Sequence, residues 1–122
     1  MLNQKKLYTK ILNALLPTLQ PFTPLGFFKN LVGGYCQIGK VCIVNCSLYI
    51  DGTFAANDYY TTATDLPPSS VGLSALTVTT ANNAGNRSVV ASVSNSGKLV
   101  IQSGNLPLSN YTIFITGIYI TT

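Results

Sequence analysis

The sequence contains no histidine, no glutamate and no tryptophan, and three aspartates supply all of its acidic side chains. Acid–base catalysis, activated nucleophiles and most zinc sites depend on histidine or on paired carboxylates. Asp51, Asp58 and Asp65 are spaced along the chain, and Asp51 and Asp65 adjoin turn-forming residues. No phosphate-binding glycine loop or calcium-loop motif accompanies them. The sequence therefore predicts a protein that is not an enzyme and that binds no metal or cofactor.

Charge is also scarce: 8% of the 122 residues are charged, against about 25% in a typical soluble domain. Together with a positive mean hydropathy, this indicates that part of the surface is covered in an oligomer. A monomer with a surface rich in Ser, Thr and Asn is the alternative. The net charge of +4 comes from the first 34 residues. The four lysines of this segment are scattered rather than clustered, so we expect no nucleic-acid binding. They are expected to lie on a solvated helix face or to contact an acidic protein partner.

Long apolar runs are missing as well. No segment reaches the ~18 continuous apolar residues that a membrane-spanning helix requires. Lys5 and Lys6 precede a short apolar stretch, but Lys10, Asn13 and Pro17 interrupt it and no small-residue cleavage site follows. We therefore expect neither membrane insertion nor a signal peptide, and synthesis in the cytoplasm.

The three cysteines, Cys36, Cys42 and Cys46, fall within one apparent strand and share one parity. Side chains alternate between the two faces of a strand, so all three are expected on the same face. Residues four apart in a strand are ~13 Å apart, too far for a disulfide. An odd number of cysteines without histidine predicts buried free thiols and no zinc.

Residues 1–34 and 35–122 carry different patterns. Leu7, Ile11 and Leu15 recur at helical spacing, which predicts an N-terminal α-helix over residues 1–20. So short a helix needs a partner, which is its own β domain, copies of itself or another protein. Residues 21–34 form a connector because prolines interrupt regular structure. We assign residues 1–34 to attachment or oligomerisation.

From Tyr35 onward the sequence is typical of strands and turns. Tyr35–Ile50 forms one long predicted strand with a bulge at Gly39 and Lys40, and Asp51-Gly52 is a predicted turn. Further predicted strands are Leu73–Thr80, Arg87–Val93, Lys98–Gln102 and Tyr111–Thr122, with a loop at Gly104–Asn110 and a hairpin turn at Asn95–Gly97. This spacing favours an all-β domain, an antiparallel, jelly-roll-like β-sandwich.

Recognition chemistry is concentrated in one short segment, whose candidate ligand-binding residues are Phe54, Asn57, Asp58, Tyr59 and Tyr60. Aromatic faces stack on apolar patches of sugars or peptides, while carboxamide and carboxylate groups bind hydroxyls. Adjacent tyrosines in a strand point to opposite faces, so only one of the pair can face the core. The alternative is a tyrosine pair shared between the core and a subunit interface.

Four segments, in order, resemble the C-terminal head domains of bacteriophage tail fibres and baseplate receptor-binding proteins. They are YCQIGKVCIVNCSLYIDGTF, LPPSS, VVASVSNSGKLVIQSGNLPL and YTIFITGIYITT. The matching positions are Ile38–Val41, Leu66-Pro67, Gly97–Ile101 and Gly117–Thr121. The resemblance covers residues 35–122.

This resemblance implies a homotrimeric β-sandwich head in the virion that binds a host-surface saccharide during attachment. The chain departs from such proteins at its front, where a short helix and connector replace a long shaft or shoulder domain. Attachment to other virion proteins would then fall to residues 1–34. The alternative is a structural, decoration or assembly subunit of the virion that binds no ligand.

Overall fold

Seven β-strands form the part of the chain that the computed structural model describes, residues 19–80, 89–104 and 107–122. They are β1 (Phe28–Ile38), β2 (Val41–Phe54), β3 (Tyr59–Ala63), β4 (Leu73–Thr80), β5 (Val89–Ser94), β6 (Leu99–Ser103) and β7 (Leu108–Ile120). Every strand pairing is antiparallel, which confirms the predicted all-β antiparallel class. Residues 1–18, which contain most of the predicted helix, lie outside the described residues.

The strands form one sheet in the order β1-β2-β7-β4-β5-β6-β3. Strand β4 joins its two halves, because Leu73–Leu76 pair with β5 whereas Thr77–Thr80 pair with β7. The connector runs along the seam between the edge strands β1 and β3. Gln20 forms a bridge with Tyr35, and the Leu25 amide donates a hydrogen bond to the carbonyl of Thr62. The sheet is therefore a nearly closed barrel, where the sequence predicted the two stacked layers of a sandwich.

The long strand predicted over Tyr35–Ile50 is wrong, because the chain reverses at Gly39 and Lys40. Ile38 lies opposite Val41, which leaves a two-residue hairpin loop. Gly39 has a φ of +60°, the conformation that favours glycine at the first position of a type II′ turn. The first strand of this hairpin already begins at Phe28, within the predicted connector.

The hairpin reverses which residues face inward. Tyr35 lies opposite Val44 and packs against the core, whereas Cys36 lies opposite Ile43 on the outer face. Residues directly opposite each other in an antiparallel pair share a face of the sheet. The predicted inward pattern of even-numbered residues is thus confirmed for β2 from Cys42 to Ile50. It is inverted in the part of β1 that the prediction covered, Tyr35–Ile38.

Asp51-Gly52 is a bulge within β2, and the turn predicted there is wrong. The β2–β7 register shifts between Ile50 and Thr53, and Gly52 has a φ of +137°. An extra residue in one strand of a pair bends that strand and releases its backbone groups from the ladder. The freed amide of Asp51 donates to the carbonyl of Phe27 at 2.7 Å. The Asp51 carboxylate also lies 2.8 Å from the Lys29 ammonium, which raises the lysine pKa through this hydrogen bond and charge.

The second half of the chain follows its predicted pattern more closely. Strand β4 has the predicted bounds, and the hairpin turn at Asn95–Gly97 joins β5 to β6. Strand β7 begins at Leu108, inside the loop predicted over Gly104–Asn110. Inward-facing residues alternate along these strands with period two, as a half-buried strand requires. Fully buried members of the resulting core include Leu48, Ile50, Val93, Leu99, Ile101, Ile113 and Ile115.

All three cysteines are free and buried, as predicted. The prediction that they share one face is wrong, because Cys42 and Cys46 point into the core while Cys36 lies beyond the hairpin turn on the outer face. Burial raises the pKa of the Cys46 thiol to about 12. Burial also raises the pKa of Cys42, and its hydrogen bond to Tyr119 acts in the opposite direction. The two core thiols are therefore protonated near neutral pH and are poor nucleophiles.

The raised pKa of Cys46 predicts a loss of stability in alkaline solution. The thiol ionises near 9.0 when unfolded but near 12 when folded, so its contribution is complete below pH 9 and disappears as the pH rises towards 12. At about pH 10.5 we expect this residue alone to lower the free energy of unfolding by on the order of 2 kcal/mol. Urea titrations at pH 8 and 10.5 under reducing conditions measure this change.

The matched control is Cys46→Ala, which removes the thiol. Its free energy of unfolding should be lower than that of the wild type at pH 8, because a cavity is created. It should then fall less steeply with pH. Equal slopes for the two proteins would contradict the assignment of the alkaline loss to Cys46.

Candidate functional site

The five residues predicted to bind a ligand divide between the inside and the outside of the barrel. Phe54 is fully buried, and its ring centroid lies 4.7 Å from that of Tyr60, with the ring planes at 81°. Phe27 and Phe28 complete this aromatic cluster beside the seam. Phe54 thus presents no ring face to solvent and acts through packing.

Tyr59 is the outward-facing member of the tyrosine pair. Its side chain is 69% exposed, whereas Tyr60 packs against the core, which confirms that only one of them faces inward. Tyr59 lies opposite Gln102 on β6, and Gln102 lies opposite Val90 on β5. The three side chains therefore form one outward row, which we call the tyrosine platform.

The loop before Tyr59 is fastened to the end of β6. The amide of Asn57 donates to the carbonyl of Gly104 at 2.7 Å, and the amide of Ser103 donates to the carbonyl of Asp58 at 2.8 Å. Asn57 has a φ of +54°, which asparagine tolerates better than most residues. The Asp58 carboxylate accepts a hydrogen bond from the Tyr59 amide at 2.8 Å. Asn57, Asp58 and Tyr59 are thus brought together beside the platform, with the Asn57 side chain exposed.

The platform combines an exposed aromatic ring with amide groups. An exposed phenol ring can stack on the C–H face of a sugar, and the neighbouring Gln102 and Asn57 amides can both donate to and accept from hydroxyls. Thr61, Val100 and Ser92 form the next outward row, all partly exposed. The surface therefore suits an extended, uncharged chain lying across β3, β6 and β5.

A polar pocket of about 400 Å³ is lined by residues that include Tyr35, Gln37 and Asp65. Burial raises the Tyr35 pKa, and the charge of Asp65 adds to the increase. The pocket groups also perform structural tasks: Asp65 accepts a hydrogen bond from the Thr23 amide at 3.1 Å, and Gln37 donates to Thr121. Asp65 is the one acidic side chain among the described residues that line this pocket.

Metal ligands do not converge within the described ranges, where no three His, Cys, Asp or Glu side chains are grouped. The loop that contributes Pro67 to the pocket is joined to β7, because the Tyr119 hydroxyl donates a hydrogen bond to the carbonyl of Pro67 at 2.7 Å. Burial of Tyr119 and its hydrogen bond to Cys42 raise the tyrosine pKa. The Tyr119 hydroxyl and the Cys42 thiol therefore both remain protonated near neutral pH.

Sequence reasoning missed Gln102 and Val90. Alternation in the segment LVIQS already places Gln102 on the face opposite Leu99 and Ile101. The pairing of β3 with β6 across about forty residues carries no local signal, so nothing in the sequence placed Gln102 beside Tyr59.

The chain matches no protein-family model, and no curated protein sequence matches it significantly. Within the described residues, no helix is long and apolar enough to span a membrane.

Proposed function

We propose that this protein is a non-enzymatic binding module of a bacteriophage or prophage virion that recognises a host-surface saccharide through the tyrosine platform. The observation that carries saccharide recognition is the 69% exposure of Tyr59 in register with Gln102. The exposed ring offers a sugar a stacking face, and the neighbouring amide offers it a hydrogen-bond donor and acceptor. The virion setting, with synthesis in the bacterial cytoplasm and attachment through residues 1–34, rests on the resemblance of residues 35–122 to fibre head domains.

The arrangement of the site supports recognition without catalysis. Asp58 uses a carboxylate oxygen to accept the Tyr59 amide, and Ser103 holds the same loop from the opposite strand. A loop fixed in this way loses little conformational entropy when a ligand binds. The jelly-roll-like sandwich of fibre heads is not required for this function, because three neighbouring strands of a barrel provide the whole platform.

Tyr59→Ala is expected to weaken binding to host cells or to a responsive glycan by about tenfold, which corresponds to ~1.4 kcal/mol for one lost stacking contact. The folded state should be unaffected, because the ring is largely in solvent. Binding to a glycan array and to whole bacteria, with thermal unfolding measured in parallel, tests this expectation.

Phe114→Ala is the matched control, because it removes another exposed aromatic ring from a different part of the sheet. It should leave saccharide binding unchanged. Unaltered binding by both Tyr59→Ala and Gln102→Ala would remove the platform as the site.

Tyr60→Ala should lower the free energy of unfolding instead, because the Tyr60 ring packs on Phe54 and Phe27.

The second candidate is a structural or decoration subunit of the virion that binds no ligand. It is favoured by the large apolar side chains exposed on the outer face of β1, β2 and β7, among them Ile118 and Ile120. Absence of binding to any glycan or cell, together with incorporation of the protein into virions, would favour this candidate over saccharide recognition.

A further inference from the structure

The polar pocket beside Tyr35 lies at one end of the barrel seam. The connector joins the two sides of the seam up to the bridge between Gln20 and Tyr35. Beyond this bridge β1 continues to Ile38, and the loop that follows β3 contributes Asp65 and Pro67 to the same pocket. We call this cavity of about 400 Å³ the seam pocket. Its volume and its position at the mouth of a barrel are typical of small-molecule sites.

Gln37 presents an acceptor to the seam pocket. The two N–H donors of its side-chain amide are directed to the Gly39 carbonyl at 3.0 Å and to the Thr121 hydroxyl oxygen at 3.1 Å. Because a carbonyl oxygen only accepts, the hydrogen bond to Gly39 fixes which end of the amide is the nitrogen. The oxygen of the Gln37 side chain is therefore the end that can meet a ligand.

The backbone around the seam pocket offers a ligand few donors. Pro67 and Pro68 have no N–H group. Other amides of the lining already donate to backbone carbonyls of the protein, namely those of Gln20, Tyr35, Leu66, Thr121 and Thr122. The hydrogen-bonding capacity that remains in the pocket is therefore mainly that of acceptors.

Asp65 adds a negative charge to these acceptors. Neither lysine nor arginine is found among the described residues that line the pocket. One oxygen of the Asp65 carboxylate accepts the Thr23 amide at 3.1 Å, and a carboxylate has several further acceptor sites. The charge of Asp65 also reaches the Tyr35 phenol, because it adds to burial in raising the Tyr35 pKa. A pocket of this kind attracts a positively charged hydrogen-bond donor.

We propose that the seam pocket binds the primary ammonium group of a small organic ligand. An ammonium group has three donors and no acceptor, which complements the Asp65 carboxylate, the Gln37 oxygen and the Tyr35 hydroxyl oxygen. An anion would instead be repelled by Asp65. The site is separate from the tyrosine platform, because Tyr59 begins β3 whereas Asp65 follows the end of that strand. The proposal therefore does not depend on saccharide recognition by the platform.

NMR chemical-shift mapping of the full chain tests the proposal, with glucosamine and n-butylamine as the ammonium probes. At slightly acidic pH, where both amines are protonated, each should shift the backbone amides of Gln37, Asp65 and Thr121. The neutral N-acetylglucosamine and the anionic glucuronate should leave these amides unchanged. The tighter of the two amines identifies the source of the ammonium group, which is an amino sugar or an alkyl amine such as a lysine side chain.

Asp65→Asn should weaken the binding of both amines by about tenfold or more, because hydrogen bonds to a charged group contribute more than neutral ones. The replacement keeps a side-chain oxygen that can accept the Thr23 amide, so the loop should stay in place. Asp51→Asn is the matched control, because it removes the same charge from an ion pair with Lys29 outside the pocket. It should bind both amines as the wild type does.

Equal binding of glucosamine and N-acetylglucosamine would overturn the proposal, as would an Asp65→Asn variant that binds both amines as tightly as the wild type. Failure of this site and failure of the proposed function are distinguishable. Asp65→Asn should keep saccharide binding at the platform, whereas Tyr59→Ala should keep the binding of both amines in the seam pocket.

Discussion

Replacing Gly33 by alanine is expected to lower the free energy of unfolding by about 3 kcal/mol or more, among the largest effects of any single substitution. Gly33 has a φ of +83°, where a side chain costs about 1–2 kcal/mol. A Cβ atom would also overlap the carbonyl oxygen of Asn45 on the adjacent strand β2. That oxygen belongs to the backbone of the longest strand, so it cannot move aside without breaking the β1–β2 ladder.

Two other glycines separate these causes. Gly39 also has a positive φ, of +60°, but a Cβ there would meet nothing within 4 Å. Gly39→Ala should therefore lose only the conformational part, about 1–2 kcal/mol. Gly72 has open space and no positive φ, so Gly72→Ala should be nearly neutral or slightly stabilising. Urea unfolding of the three variants gives the order of their free energies of unfolding. If Gly33→Ala lost no more stability than Gly39→Ala, the backbone of Asn45 would have to move away from residue 33 in solution.

The same glycines show where sequence reasoning stops. Gly33 and Gly34 are the last residues of the connector predicted over 21–34, yet they lie inside β1. The backbone of Gln20 approaches Gly34 there as closely as that of Asn45 approaches Gly33. A glycine can mark either the end of a segment or a position where another backbone comes too close for a side chain, and the residue type alone does not distinguish the two. Gly39 and Gly52 are a similar case. The sequence predicted a bulge at Gly39 and a turn at Gly52, whereas Gly39 forms the hairpin turn and Gly52 the bulge.

Local alternation, by contrast, was sufficient for two of the strands. The inward residues of β2 and the bounds of β4 follow directly from apolar residues at every second position. The same rule separated Tyr59 from Tyr60. Closure of the barrel could not be predicted in this way, because it depends on the pairing of β2 with β7 and on the connector lying against β3. Those contacts join segments far apart in the chain, and the alternation of apolar and polar residues within a strand does not indicate which strand it pairs with.

Phe54→Ala is expected to lower the free energy of unfolding by about 3–5 kcal/mol, the usual range for a buried phenylalanine. The Phe54 ring packs edge-on against Phe27, Phe28 and Tyr60, with centroids between 4.7 and 6.0 Å apart. These rings come from the connector, β1, β2 and β3, so the cluster joins both sides of the barrel seam. Phe114→Ala, which truncates a ring that is 41% exposed, should cost much less.

Urea unfolding of Phe54→Ala and Phe114→Ala measures this difference, and similar losses of stability would show that the aromatic cluster does not hold the seam.

Phe54→Ala also separates packing from ligand contact, when its binding is compared with that of Tyr59→Ala. Because the Phe54 ring is fully buried, the proposed saccharide binding by the folded fraction of Phe54→Ala should stay close to the wild-type level at low temperature. Tyr59→Ala should instead weaken this binding without a loss of stability. A folded Phe54→Ala variant that binds as weakly as Tyr59→Ala would mean that the seam must be intact to position β3, since the outward row begins on the strand whose inward side Phe54 supports.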